Sequence, residues 1–323
     1  MVMVKIMQDI KTEHLELFYD CVDESNDILY EAFHKPYFDL IEMTVNNILS
    51  GDVVCDCDEE TKEKLNAVYN RIVDVDFTVE DVRKAMQAIL LKGFKEMRIS
   101  NGNTTPDTLG IFIAYLITKL HTGSKLTLLD PLCGTGNLLH TVLNHLDKEC
   151  TCFACDHDLW MTKITKMVSD LLNINVELFF QDTRNLSLKE MDVILFDMPN
   201  VALEENKKYF PYEAILHYNQ MLKKNGVMIG ILSQDFFDYD KNQEFKKQLL
   251  KDSSIIGLVE LPDSMFVAKP KIIVVIQKKV LDKKNCFMVK LPSFTDVKEF
   301  NQSLMEIEAW FEKNKNNRSE ENK

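Results

Sequence analysis

The chain has 323 residues, 46% of them hydrophobic and 28% charged, which suits a large α/β domain joined to a smaller one. Ten glycines and eight prolines exclude a collagen-like or largely disordered chain. Net charge is −13 and unevenly placed: residues 1–100 hold eleven Lys and Arg against twenty-one Asp and Glu, a poor platform for the phosphates of a duplex.

The N-terminal stretch MVMVKIMQDIK has no apolar region of signal-peptide length. The apolar runs at 111–117 and 272–276 fall well short of the roughly 20 residues that a membrane span needs. A cytoplasmic protein without a membrane segment is expected. Residues 14–30, 37–49 and 62–72 carry apolar positions three and four apart, the spacing of helices with one buried face. Thr78 then caps a helix over 79–97, with Glu80 and Asp81 in its first turn, where the helix dipole favours negative charge. The acidic excess reads either as a solvated surface or as a dock for a basic protein partner.

A run of turn residues, 100–106, breaks the pattern and marks a domain boundary. The expected organisation is an acidic helical domain over 1–100, an α/β domain over 101–312 and a polar tail over 313–323. Beyond the boundary, short apolar strands are predicted at 126–129, 151–155, 176–180, 193–196, 227–232, 255–261 and 271–277. Helical patterns at 136–146, 159–172 and 212–223 fill most of the gaps, and an amphipathic helix around 304–311 closes the chain. Alternating strands and helices argue for a mostly parallel sheet covered on both faces. The last two strands follow each other without a helix, as in an antiparallel hairpin at one edge. The fold class is α/β, a three-layer sandwich preceded by an all-helical domain.

Eight cysteines in a cytoplasmic chain are expected to be reduced. Cys55-x-Cys57 and Cys150-x-Cys152-x₂-Cys155 lie almost a hundred residues apart, and the second group sits in a strand. Buried strand thiols fit better than a zinc site, and no metal is expected.

In sheets of this kind ligands bind at the carboxyl ends of the strands. The loop after the first α/β strand reads Asp130-Pro131-Leu132-Cys133-Gly134-Thr135-Gly136-Asn137. Its glycines let backbone approach a ligand, and the helix that follows offers free N–H groups. Asp156, twenty-two residues after Gly134, ends the second strand and suits ribose hydroxyls. A dehydrogenase would share that acid, but Leu139 stands where its third glycine would be.

The longer string Asp130-Pro-Leu-Cys-Gly-Thr-Gly-Asn-Leu-Leu resembles the S-adenosylmethionine loop of class I methyltransferases, in the form used by N-6 adenine-specific DNA methylases. The resemblance runs in family order over roughly residues 100–280. Thr104-Thr105-Pro106-Asp107 is similar to the Thr-Pro element before that loop. Cys155-Asp156-His157-Asp158 resembles the acidic second motif and Gln181-Asp182-Thr183 the third. Asp197-Met198-Pro199-Asn200 stands where the family carries its catalytic (Asp/Asn)-Pro-Pro-aromatic tetrapeptide. Residues 256–266 and 272–278 resemble the late motif and strand of type I modification subunits, as does a helical domain ahead of the methylase domain.

The resemblance implies a Rossmann-like methyltransferase sheet, S-adenosylmethionine as cofactor and adenine of DNA as acceptor. Asp130, Pro131, Gly134, Thr135, Gly136 and Asn137 would surround the methionine portion and sugar, with Thr105 and Pro106 closing over them. Asp156 would take the ribose hydroxyls, His157 would lie against the adenine, and Asp182, followed by Thr183, would accept from its amino group. Asp182 can equally cap the turn after it.

An exocyclic amino nitrogen is a poor nucleophile because its lone pair is delocalised into the base. Two acceptors hold its hydrogens and aim it at the sulfonium methyl, which is catalysis by positioning. The Asp197 side chain and the Met198 carbonyl fill those places. Asn200 departs from the pattern, because the family places there a ring that stacks on the flipped base. Losing stacking of about 1–3 kcal/mol would cost roughly ten- to a hundredfold unless another ring substitutes. Tyr209, Phe210, Tyr212 and Phe266 are the candidates. The departures leave two alternatives: a catalytically weakened cofactor-binding scaffold, or a methyltransferase acting on RNA, protein or a small molecule.

Some 45 residues follow Lys278, too few for a target-recognition domain. Lys269, Lys271, Lys278, Lys279, Lys283 and Lys284 form a basic cluster interrupted by Asp282. It could meet phosphates, or flank an edge strand and discourage aggregation. Binding to DNA, or to another nucleic acid, is expected to be weak and non-specific for the chain alone.

Overall fold

The computed structural model describes residues 11–100, 104–201, 209–266, 269–281 and 286–319, with side chains to Asn314 in the last helix. Residues 101–103 of the expected boundary, and Asp282, Lys283 and Lys284 of the basic cluster, lie outside the described residues.

Four helices open the chain: α1 (Thr12–Phe33), α2 (Tyr37–Ser50), α3 (Glu59–Tyr69) and α4 (Val79–Glu96). The first three fall on the stretches predicted from apolar spacing, α3 three residues earlier than expected, and α4 on the stretch that Thr78 caps. Their starts follow local chemistry: Asp58 accepts from the Thr61 amide at 2.8 Å. Thr78 and Asp81 accept from each other's amides at 3.1 and 3.0 Å, a capping box opening α4. The apolar faces of α1, α2 and α4 meet in one cluster through Phe18, Val22, Phe38, Ile41, Met86 and Ile89.

The remainder is α5 (Asp107–Leu120), β1 (Lys125–Asp130), α6 (Asn137–Asn144), β2 (Glu149–Asp156), α7 (Leu159–Leu171), β3 (Val176–Phe180), β4 (Met191–Asp197), α8 (Phe210–Met221), β5 (Leu222–Ser233), α9 (Glu244–Leu249), β6 (Ser254–Glu260), β7 (Lys271–Gln277), β8 (Phe287–Lys290) and α10 (Val297–Ser319). The strands form one eight-stranded sheet in the order β3-β2-β1-β4-β5-β7-β6-β8. Neighbours from β3 to β5 are parallel, and β7 runs antiparallel to both β5 and β6. Alternate residues face opposite helix layers. Leu128, Leu195, Ile229 and Ile273 join the core under α5, α6 and α10, whereas Leu129, Ile194, Met228 and Val274 join the one that includes α8. This is the expected three-layer sandwich.

Three elements escaped the sequence reading, α5, the six-residue α9 and β8. The run Ile111–Ile117 is buried all round except at its flanking position 111, so α5 lacks the polar face that would announce a helix. β8 is four residues long and pairs parallel to β6, outside the antiparallel β6–β7 hairpin. Phe287 on β8 lies so close over Gly257 of β6 that a Cβ there would stand 2.2 Å from the ring. No helix among the described residues is long and apolar enough to cross a membrane.

Candidate active site

Strand order reverses between β1 and β4, which opens a crevice at their carboxyl ends. β1, β2 and β4 each end on an aspartate, Asp130, Asp156 and Asp197. The β1–α6 loop folds between them. Gly134 and Gly136 have φ of +52° and +75°, the left-handed region that favours glycine, and a Cβ on Gly136 would meet the His140 ring at 2.6 Å. The Cys133 amide bonds to the Cys155 carbonyl at 3.0 Å, and Thr165 Oγ1 donates to the Gly134 carbonyl at 2.9 Å. Asp156 accepts from the amides of Gly134 and Asp158, each at 2.9 Å.

These pieces border a cavity of about 420 Å³ lined by Thr105, Asp130, Gly134, Asp156, His157, Asp158, Asp197, Met198, Pro199, Asn200 and Lys271, with Leu132, Cys133, Leu138 and Met161. Asp130 is 1% exposed. Its Oδ1 accepts from the Leu132 amide at 3.1 Å, and its buried Oδ2 has no hydrogen-bond partner among the described residues. Burial pushes this carboxyl up to about 8, with the charges of Asp156 and Asp197 adding to the effect. Four carboxyl groups against one lysine make a cavity suited to a cationic ligand that carries hydrogen-bond donors. S-adenosylmethionine, with its sulfonium and ammonium groups, fits that description.

The predicted cofactor residues separate into three sets. Thr105, Asp130, Gly134, Asp156 and His157 line the cavity, and His157 is largely exposed at its mouth. Pro106, Pro131, Thr135, Gly136 and Asn137 are not among its lining residues, and Thr135 and Asn137 border a separate narrow space beside Arg83 and His140. Asp182 and Thr183 turn elsewhere. The Asp182 carboxylate is bonded to the Arg184 side chain, closest at 2.7 Å, and caps the turn over Thr183–Asn185, which holds its carboxyl below the usual range. Thr183 is buried and bonds to the Tyr218 hydroxyl at 2.8 Å.

Asp197 is occupied on both oxygens. Thr105 Oγ1 donates to Oδ2 at 3.0 Å, and Lys271 Nζ pairs with Oδ1 at 2.5 Å. Burial raises this carboxyl, while Lys271 and Thr105 work against the rise. The Met198 amide donates to the Ile231 carbonyl at 2.9 Å, which pins the tetrapeptide to β5.

Lys271 therefore corrects the reading of the basic cluster. β7 is an inner strand, so its lysines do not flank an edge. Because β7 runs antiparallel, its first residue arrives at the carboxyl ends of β1 and β4. Lys269 pairs with Asp235 at 3.0 Å, and Lys278 pairs with Asp252 at 2.9 Å. These three lysines pair with carboxylates of the chain itself.

On the far side of Met198, Pro199 and Asn200 lies a second cavity of about 560 Å³, walled by Val201, Tyr209, Pro211, Leu232, Ser233, Asp235, Phe236, Tyr239 and Lys269. Tyr209 and Tyr239 stack with centroids 4.3 Å apart and planes 25° from parallel. Of the four rings proposed to replace the missing aromatic, only Tyr209 reaches this cavity. Tyr212 stacks on Phe245 at 4.3 Å within the core, Phe210 lies beside the Arg184 guanidinium, and Phe266 lies beside Lys271. Tyr239 was not anticipated, although the aromatic run Phe236-Phe237-Asp238-Tyr239 directly after β5 was a signal for it.

Residues 86–321 match the N-6 DNA methylase family, and residues 16–94 match the YtxK N-terminal helical domain. An uncharacterized Bacillus subtilis protein, YtxK, is 32% identical over 280 residues, 80% of this chain and 84% of that one. A Listeria monocytogenes protein described as a candidate class I S-adenosylmethionine-dependent methyltransferase superposes with a TM-score of 0.82 at 28% identity, over 93% of this chain and all of that one. The methyltransferase subunit of a type I restriction-modification system from Streptococcus thermophilus shares the fold, with a TM-score of 0.60 at 18% identity over 91% of this chain and 74% of its own.

Proposed function

The chain belongs to the N-6 DNA methylase family, and from that premise we propose that it transfers a methyl group from S-adenosylmethionine to the exocyclic amino nitrogen of adenine, with DNA as the acceptor polymer. The observation that carries this reading is the position of Met198, Pro199 and Asn200, which line both an acidic cavity and an aromatic one. A methyl donor in the first and a flat base in the second would meet at the tetrapeptide.

The cofactor supplies an electrophilic methyl group, and the remaining work is positioning. Asp156 would hold the ribose hydroxyls, and His157 would lie against the adenine ring. Asp182 would take the adenine amino group only by leaving Arg184. Asp130, with its unpartnered Oδ2, would accept from the ammonium of the methionine portion. Asp197 and the Met198 carbonyl would hold the acceptor's amino hydrogens. A carboxylate offers about four lone-pair sites, so the contacts with Thr105 and Lys271 leave Asp197 further capacity to accept. The stacked Tyr209 and Tyr239 supply the aromatic surface that Asn200 lacks.

Duplex DNA should be bound weakly and without sequence preference by this chain alone. The first hundred residues are acidic, and Lys269, Lys271 and Lys278 are committed to carboxylates. Any binding should fade steeply with salt. The deciding experiment is transfer of labelled methyl from the cofactor to unmethylated genomic DNA, with total RNA alongside. Label recovered as N6-methyladenine in DNA is the expected result. Label in RNA alone would overturn DNA as the acceptor. The lysine on Asp197 and the absent ring at Asn200 favour a second reading, a scaffold that binds the cofactor without turning it over. That reading predicts cofactor binding with no label in either polymer.

A further inference from the structure

We propose that Arg83, on α4 of the helical unit, is a positioning residue of the methyl-transfer site, so that the N-terminal helices are a working part of that site rather than an attachment to it. The proposal rests on the reading of the acidic cavity as the cofactor site.

Arg83 is 1% exposed and bonded on all three nitrogens. Nε donates to Glu80 Oε2 at 2.7 Å, and Nη2 donates to Glu80 Oε1 at 2.6 Å and to Asp107 Oδ2 at 3.0 Å. Nη1 reaches Asp107 Oδ1 at 3.0 Å, Thr141 Oγ1 at 3.0 Å and Asn137 Oδ1 at 3.2 Å. Glu80 also accepts from Asn144 Nδ2 at 2.7 Å. Positions 137, 141 and 144 fall on one face of α6, the helix that follows the glycine loop. The Glu80–Arg83 pair thus grips that helix along its whole length, from across the expected domain boundary.

The network continues to the reacting end. Asn137 Nδ2 donates to the Thr105 carbonyl at 2.7 Å and to Asp107 Oδ1 at 2.8 Å, and the Thr105 hydroxyl donates to Asp197. Three links therefore separate Arg83 from the tetrapeptide. Burial alone would raise the Asp107 carboxyl, but the Arg83 guanidinium and Lys84 hold it well below the usual range. The charge on which the network depends is therefore permanent at physiological pH.

Attachment of the helices does not require this arrangement. An apolar cluster between α2, α4 and α7 already joins the two units. Buried ion networks add little net adhesion, and what they fix is geometry. Here they fix Thr105 and the start of α6, beside the Asp130 and Asp197 end of the cavity. That end holds Asp130, with its unpartnered Oδ2, and Asp197, and would take the charged amino-acid tail of the cofactor.

The test compares two ligands on the full chain by calorimetry: S-adenosylhomocysteine, which has that tail, and 5′-methylthioadenosine, which lacks it. Arg83→Lys keeps the charge and loses the fork. It should weaken S-adenosylhomocysteine by about tenfold or more and methylthioadenosine by less than about threefold. Thr141→Val, which removes one Arg83 contact, should show the same discrimination at smaller amplitude should the lysine variant fail to fold. Leu29→Ala, in the distant cluster of α1, α2 and α3, should lower the melting temperature and leave both affinities alone. Unchanged S-adenosylhomocysteine binding in both Arg83→Lys and Thr141→Val would overturn the inference. So would equal loss of both ligands in step with the melting temperature, which would mark Arg83 as structural only. Wild-type protein that binds neither ligand would instead overturn the cofactor reading on which the inference stands.

Discussion

The two cavities that meet at Met198, Pro199 and Asn200 are built on different principles. The acidic one is made by strand ends and a hydrogen-bonded loop, and its aspartates are locked by backbone amides, by Thr105 and by Lys271. The aromatic one is made by side chains packed on one another, Tyr209 on Tyr239 and Tyr239 anchored to Asp235 through its hydroxyl at 3.2 Å. Locked polar groups select a ligand by charge and donor pattern. Stacked rings accept any flat molecule of suitable size. The donor side of the reaction should therefore be exacting and the acceptor side permissive, with further selectivity left to whatever presents the acceptor.

The most severe way to break this division is at the shared wall. Asp197→Ala removes the side chain in the tetrapeptide's acceptor position and should lower turnover by about a hundredfold or more. It also leaves Lys271 without its carboxylate, so the sulfonium-bearing donor should lose more affinity than its product, which lacks that charge. Single-turnover kinetics with separate titrations of the two ligands would check both effects. Tyr239→Ala strikes the acceptor side alone. It should raise KM for the acceptor by roughly ten- to a hundredfold, the worth of one base–ring stack, with cofactor affinity unchanged. Equal loss on both sides would mean that the cavities are not separate in function.

Asp156→Ala strikes the donor side alone. Calorimetry should show S-adenosylhomocysteine weakened by about tenfold or more, about 1.4 kcal/mol, with acceptor KM unaffected. The smallest effect is the pH dependence of Asp130, raised by burial to about 8. A ligand ammonium favours its ionised form, so binding at neutral pH should release a proton and affinity should rise about fivefold from pH 7 to pH 8. In the unliganded protein this carboxyl is protonated when folded and ionised when unfolded, so its contribution makes stability fall as pH climbs from about 4 to about 8. Asp130→Asn should remove the proton release, measured by titration in buffers of different ionisation enthalpy.

How much of this was legible depended on distance along the chain. The acidic cavity could be read because its parts lie in short contiguous motifs: the loop from Asp130 to Asn137, the strand end at Asp156 and the tetrapeptide at Asp197. Most strand and helix positions followed from periodicity for the same reason, since burial repeats within each element, but α5, α9 and β8 did not. Lys271 was misread because its neighbours in sequence are lysines, and only the antiparallel run of β7 delivers it to Asp197, seventy-four residues away. Tyr239 and Arg83 depend likewise on contacts between distant segments, 30 residues to Tyr209 and 54 to Asn137, which periodicity does not encode. Asp182 kept both of its readings because the turn it caps and the adenine it would meet call for the same residue.

The apolar cluster of the helical unit has a consequence for how the chain holds together. Met161, Ile164, Met167 and Val168, all on α7, are buried by α2 and α4. Each half thus completes the other's interior, and neither can be cut away without wetting oil that was never meant to face water. A fragment starting near residue 104 should aggregate, and the whole chain should melt in a single calorimetric transition whose van't Hoff and calorimetric enthalpies agree. The boundary suggested by composition would then be a joint in the sequence but not in the thermodynamics.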